Sequence, residues 1–283
     1  MALVNILRFF KGRKPMDIAL TALVWICAAV TFIALLSIIG HILYMGVGHL
    51  SPELFELVYT SDNLSMLPAI ITTIQITGLA LLIAGPLGIF TGIYLVEYAS
   101  RGSKFVGLIR IMAETLAGIP SIVYGLFGML FFVIFLGFGF SIIAGVLTLS
   151  IMILPLIMRT TEEALKSVPD SYREGSYGLG AGKLRTVFRI ALPSAAPGIL
   201  AGIILATGRI VGETAALLFT AGSVPRIPEN LSDSARTLAV HMYALSSEGL
   251  HTSQAYATAV VLLVTVIFLN AVSRLIAKRF TKG

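Results

Sequence analysis

The chain has 283 residues, of which 57% are hydrophobic and only 12% charged, and its mean hydropathy is +0.95. That charged share is about half of a soluble domain's, and a globule cannot hide so much apolar surface internally, so an ordinary soluble protein is excluded. Disorder needs low hydrophobicity and high charge, the opposite of this composition.

Crossing the hydrocarbon core takes about 20 mostly apolar residues. Residues Ile18–Met45 contain no Lys, Arg, Asp or Glu. They follow Arg8, Lys11, Arg13 and Lys14, as a signal sequence would, but the 28-residue run is too long for one, and it is read as an uncleaved first span. Ser65–Val96 is equally free of charge, and so is Thr115–Met158. The last run has 44 residues, too many for one helix, and it divides at Gly137-Phe138-Gly139-Phe140. A run from about Ser194 to Thr220 is broken only by Arg209 and Glu213, and one from about Ala255 to Ile276 only by Arg274. The expected fold is an all-α polytopic membrane protein. It has an N-terminal tail over 1–17 and a C-terminal tail over 277–283. Between them lies a six-helix domain over 18–276, with spans at about 18–45, 66–96, 105–136, 140–158, 194–220 and 255–276.

The basic residues orient these spans. Of 20 Lys and Arg, 17 fall in the N-terminal tail, the second and fourth loops and the C-terminal tail; Arg226 and Arg236 fall in the fifth loop and Arg209 within a span. The positive-inside rule then places both termini in the cytoplasm. The net charge of +6 is a topology signal and does not indicate a nucleic-acid partner.

Interior prolines (Pro86, Pro120, Pro155) mark bent helices. Small residues four apart (Gly88/Gly92, Gly198/Gly202, Gly208/Gly212) suit close helix approach. The fourth loop, 159–193, is long and polar. Ser167-x-x-Asp170 reads as a capping box, with Pro169 tolerated in the first turn of a short helix that Gly180-Ala-Gly182 stops near Leu179. A second short helix is expected over about Lys183–Ile190, with Leu192-Pro193 breaking into the next span. The pair of short helices suits a docking surface for a cytoplasmic partner, and equally a solvated loop on the headgroups. Gly178-Leu-Gly-Ala-Gly182-Lys183 superficially matches a phosphate-binding loop. Three residues separate Gly178 from Gly182 where that loop needs four between its glycines, and Leu184 replaces its Ser or Thr, so no ATP site is expected on this chain.

Glu174-Gly175-Ser176, Gly180, Ile190, Leu192 and Pro193 have the spacing of the Glu-Ala-Ala loop of ABC-importer permeases, with both alanines replaced by other small residues. Further blocks at Pro86–Gly88, Tyr94–Tyr98, Ile119–Phe127, Arg159–Glu162, Val168–Ser171 and Gly212–Thr220 resemble the phosphate-importer permeases of the PstA type. The resemblance implies a type I ABC importer permease whose 159–193 loop supplies a coupling helix to an ATPase. Coupling would fall on Pro169, Asp170, Tyr172, Arg173, Glu174, Gly175, Ser176 and Gly180. It implies a homologous second permease (PstC type), cytoplasmic ATPase subunits (PstB type), an extracytoplasmic phosphate-binding protein (PstS type) and inorganic phosphate as the cargo, in a prokaryotic plasma membrane. Another oxyanion such as molybdate or sulfate is the alternative cargo, and a secondary transporter or channel the alternative class.

Charge inside a span is costly and points to a partner or a purpose. Arg209 and Glu213, four apart, read either as a neutralised brace or as an anion-pathway arginine held by a carboxylate. The resemblance assigns functional weight to Arg209 and Arg159; Arg159 also suits a snorkelling anchor. Arg110 and Glu114, again four apart, read as a structural pair, and Gln75 is a further pathway candidate. The single cysteine, Cys27, forms no disulfide within the chain. His41, His49, His241 and His251 have no metal-ligand spacing, and surface placement is expected for His241 and His251. No catalytic set, resident cofactor or metal is expected.

Overall fold

The computed structural model describes residues 14–100, 102–247 and 249–281. The expected topology signals at Arg8, Lys11, Arg13, Arg101 and Lys282 lie outside the described residues. Among the described residues every regular element is helical. The long helices are α1 (Pro15–Gly46), α2 (Leu67–Ile93), α5 (Ile142–Lys166), α8 (Leu192–Val211) and α11 (Thr252–Thr281). The shorter ones are α3 (Lys104–Ala117), α4 (Ser121–Gly128), α6 (Asp170–Gly178), α7 (Lys183–Thr186), α9 (Ala215–Leu218) and α10 (Leu238–Ser247). Among the described residues five helices are long and apolar enough to cross a membrane, and six when the bent pair that starts with α3 and α4 counts as one span.

The 105–136 stretch is not one helix. It forms α3 and α4, bent by 101° at the break between them. The cause is local: Pro120 has no amide hydrogen and disfavours helical geometry at Ile119, while Gly118 closes α3. The Tyr124 hydroxyl donates to the Leu116 carbonyl at 2.7 Å and ties the two arms together. Past α4 the chain continues as a π-helical segment, Met129–Phe135, then reverses at Gly137 and Gly139. Both take positive φ (71° and 63°), where a side chain would be strained. Ser141 caps α5 by accepting from the Ala144 amide at 3.3 Å.

Helix α5 is the axis of the bundle. It runs parallel to α2, with Gly88 against Ile157 and Gly92 against Thr161, and antiparallel to α8, with Gly198 against Ala164 and Gly202 against Thr160. A Cβ placed on Gly88, Gly92 or Gly198 would meet the neighbouring side chain at 2.7–2.8 Å, so glycine is what allows these backbones to approach. The third small-residue pair behaves differently. Gly208 faces open space and Gly212 meets only the carbonyl of Gly208, so these two mark the end of α8 and make no helix contact. The core formed by α2, α5, α8 and α9 includes Ile76, Leu149, Met152, Ile153, Ile210 and Leu217. Helix α1 stands apart: its most apolar stretch is unburied within the chain, and it meets α11 at Gly46, beside Tyr256 and Val260.

Two further expectations are corrected. The stretch from Lys183 does not break at Leu192-Pro193 but runs to Val211 as one helix. A π-helical turn, Val187–Ala191, sits just where Pro193 cannot donate, and its wider register absorbs the missing bond. The 194–220 span ends at Val211, and after Gly212–Thr214 the chain starts the short α9.

Candidate translocation and coupling sites

Helix α6 projects from the 159–193 segment with no residue buried. The capping box does not form. Ser167 instead closes α5, donating to the Ala164 carbonyl at 2.7 Å, and Pro169 occupies the position before Asp170. At the other end the Ala181 amide donates to Ser176 O and the Gly180 amide to Tyr177 O, a Schellman closure. It requires the left-handed residue that Gly180 (φ 82°) supplies. Pro169, Asp170, Tyr172, Glu174, Gly175 and Gly180 face outward. Ser176 does not: its hydroxyl lies 2.8 Å from that of Thr186 and links α6 to α7.

Arg173 also turns inward. Its Nη2 and Nε donate to Glu97 Oε1 at 2.7 and 3.0 Å, Nη1 donates to the Val168 carbonyl and Nη2 to the Leu165 carbonyl, both at 2.9 Å. The pair is mostly buried, and it clamps α6 to the π-helical turn Tyr94–Tyr98 that ends α2 and to the end of α5. Glu97 was not singled out by sequence reasoning; the available signal was a carboxylate closing the uncharged run that ends at Val96. A second buried carboxylate, Glu162, pairs with Arg110 at 2.8 Å and Lys166 at 2.6 Å. Arg110 therefore does not pair with Glu114, which lies 3.8 Å from Arg159. Arg159, more than half exposed, also reaches Glu163 at 3.4 Å. A cavity of about 800 Å³ opens beside this network, bordered by Glu97, Arg110, Lys166, Asp170, Arg173 and Lys183.

The pathway candidates do not converge on one site. The helix contacts set Gln75 level with residue 145 of α5, and Arg209 level with residue 153. At 1.5 Å rise per residue, Gln75, Arg209 and Arg159 are strung along the axis at intervals of roughly 12 and 9 Å. Gln75 and Arg209 are half-buried. The Arg209–Glu213 pair does not form, because α8 ends at Val211 before the fourth residue can return to the same face. Buried Glu213 instead accepts from the Ala216 amide at 3.1 Å and caps α9. Among the described residues no carboxylate lies within 4 Å of Arg209.

His241 is fully buried, contrary to the expected surface placement. Burial, followed by the charge of Arg236, holds its pKa down at about 3. No group of His, Cys, Asp and Glu suited to a metal occurs among the described residues.

A bundle of long apolar helices around a buried central helix, with one short helix projecting beyond it, is the architecture of an α-helical multi-pass membrane protein. Residues 84–282 match the family of binding-protein-dependent transport system inner membrane components, and the chain belongs to that family. It is 36% identical to the probable ABC transporter permease protein YqgI of Bacillus subtilis, over 93% of this chain and 95% of that one. It is 42% identical to the phosphate transport system permease protein PstA of Yersinia pestis, over 70% of this chain and 67% of that one. Its fold is similar to a chain in the crystal structure of a bacterial ABC transporter involved in the import of the acidic polysaccharide alginate. The TM-score is 0.63 at 20% identity, covering 92% of this chain and 97% of that one.

Proposed function

We propose that this chain is one of two permease subunits of an ATP-driven importer of inorganic phosphate, set in a prokaryotic plasma membrane with both termini and the 159–193 segment in the cytoplasm. The observation that carries the coupling role is the geometry of α6. Tyr172 and Tyr177 stand outward while Arg173 is clamped underneath to Glu97. A push on the exposed face is thereby transmitted to the ends of α2 and α5, and no compliant loop absorbs it. Two cytoplasmic ATPases supply that push, a homologous second permease completes the pathway, and an extracytoplasmic binding protein delivers the anion. Phosphate as cargo is supported by the likeness to the Yersinia pestis permease and by an arginine fork at Arg209 that has no carboxylate partner among the described residues, which suits a tetrahedral oxyanion.

The test is uptake in a strain lacking phosphate transport, complemented with the complete operon, with sulfate and molybdate as competitors. Restored uptake that only phosphate and its close analogues inhibit is expected; inhibition by molybdate or sulfate alone overturns the assignment. Cysteine at Tyr172 or Tyr177 is expected to crosslink to an ATPase subunit, and failure at both positions removes the coupling role from α6.

A further inference from the structure

At the end of the bundle opposite α6, five polar side-chain atoms within six residues are buried without hydrogen-bond partners. They are Arg236 Nε and Nη2, Thr237 Oγ1, and both ring nitrogens of His241. Arg236 is 6% exposed and His241 not at all. Among the described residues no carboxylate lies within 4 Å of the Arg236 guanidinium. Buried polar groups are ordinarily satisfied, and a buried cation without a counter-charge is the costliest exception.

Three features converge on this point. Nε and Nη2 form one edge of the guanidinium, the edge that grips an oxyanion through two parallel hydrogen bonds. Arg236 immediately precedes Thr237 and the ten-residue α10, whose amino end carries partial positive charge. A cation next to that end is unfavourable unless an anion sits between them. Finally, Tyr59 closes the cluster: its ring lies 4.7 Å from the guanidinium carbon and 6.1 Å, edge to face, from the His241 ring. The floor is helix α2, where the Thr73 hydroxyl accepts from the Leu238 amide at 2.8 Å and, one turn on, the buried Thr77 hydroxyl has no partner.

We propose that Arg236, Thr237 and the amino end of α10, backed by His241, form an oxyanion site under Tyr59 at the extracytoplasmic mouth of the permease, distinct from Arg209. Arg236 supplies the charge and two donors and Thr237 a hydroxyl, while the N–H of neutral His241 is directed to the Leu64 carbonyl beside it. Tyr59 must swing aside to admit the anion, and its ring offsets part of the exposed charge when the site is empty. That the anion is inorganic phosphate, and that this end of the bundle faces outward, rest on the function proposed above; the site itself does not.

The experiment uses the assembled transporter, with its partner subunits, in zwitterionic lipid discs, and reads the melting midpoint against added inorganic phosphate. Phosphate is expected to raise the midpoint in the wild type and in Arg209→Gln, and to lose that effect in Arg236→Gln. Uptake at limiting phosphate should fall roughly 10- to 100-fold in Arg236→Gln, as for a lost charge-assisted hydrogen bond, with partial rescue in Arg236→Lys. Thr237→Val keeps the charge and should show a reduced shift, which covers the case in which Arg236→Gln fails to assemble. An undiminished shift in both Arg236→Lys and Thr237→Val, or a shift carried by Arg209 alone, overturns the site. A shift that depends on Arg236 but responds to sulfate or molybdate and not to phosphate leaves the site standing and removes the phosphate reading. Stabilisation by discs containing anionic phospholipid, with no response to free phosphate, makes a headgroup the ligand and overturns the transport role.

Discussion

Arg173 Nη2 lies 2.7 Å from Glu97 Oε1, although the two residues are 76 positions apart in the chain. The guanidinium serves two masters at once: it neutralises a carboxylate at the end of α2 and closes two carbonyls, those of Leu165 and Val168, at the end of α5. One side chain of the projecting helix α6 therefore ties it to the ends of both α2 and α5. Charged hydrogen bonds in a poorly hydrated setting are strong when complete and costly when halved.

Removing one partner should expose that dependence. Glu97→Ala is expected to destabilise the seating of α6 by about 3–5 kcal/mol, the range for breaking a buried pair. Limited proteolysis of the 167–182 stretch should accelerate, and uptake should fall while ATP hydrolysis by the assembled transporter persists. Unchanged uptake together with unchanged proteolysis would sink the clamp.

The glycines on α5's two neighbours should rank by the space around them. Gly88→Ala and Gly198→Ala place a methyl against Ile157 and Ala164 and are expected to cost about 1–3 kcal/mol, as overpacking does. Gly208→Ala, facing open space, should leave the assembled protein's thermal stability unchanged. Equal losses at all three positions would show that the close approaches are not what glycine provides here.

Arg209 and Glu213 should respond independently. Glu213→Gln keeps an acceptor for the Ala216 amide and is expected to transport normally, whereas Glu213→Ala loses a cap worth about 0.5–2 kcal/mol. Arg209→Gln should abolish uptake with assembly intact. A double-mutant cycle should find little coupling; strong coupling would restore the brace that the end of α8 argues against.

His241 predicts a pH dependence. Its folded pKa of about 3 lies below the unfolded value of 6.5, so the unfolded chain binds the proton first. Stability is complete above pH 6.5 and declines as the pH falls from there toward 3, by about 1.4 kcal/mol per unit. Thermal inactivation between those limits should become less pH-dependent in His241→Leu. A slope identical to the wild type's would mean that His241 is not protonated preferentially on unfolding.

The membrane class was legible in the sequence because it rests on one-dimensional quantities: uncharged runs such as Ser65–Val96, glycine pairs such as Gly88/Gly92, and the spacing of Glu174, Gly180 and Pro193. The Gly180 turn was legible for the same reason, since a left-handed closure needs glycine wherever it occurs. Pairings were not. Helical spacing put Arg209 with Glu213 and Arg110 with Glu114, yet one pair straddles a helix end and the other is drawn apart by Glu162 and Arg159 on α5. Spacing rules assume that the helix continues and that no nearer charge competes, and only the packed bundle settles either condition.

The amino-acid sequence by itself determined that this is a multi-pass helical protein with a polar segment projecting near its middle, because burial in lipid acts residue by residue along the chain. The tertiary structure alone decided which charges meet. Glu97 reaches Arg173, and Arg236 and His241 are buried against Tyr59 with no carboxylate of the described residues within 4 Å of Arg236. Those outcomes depend on distances between segments far apart in the chain, which no local pattern encodes.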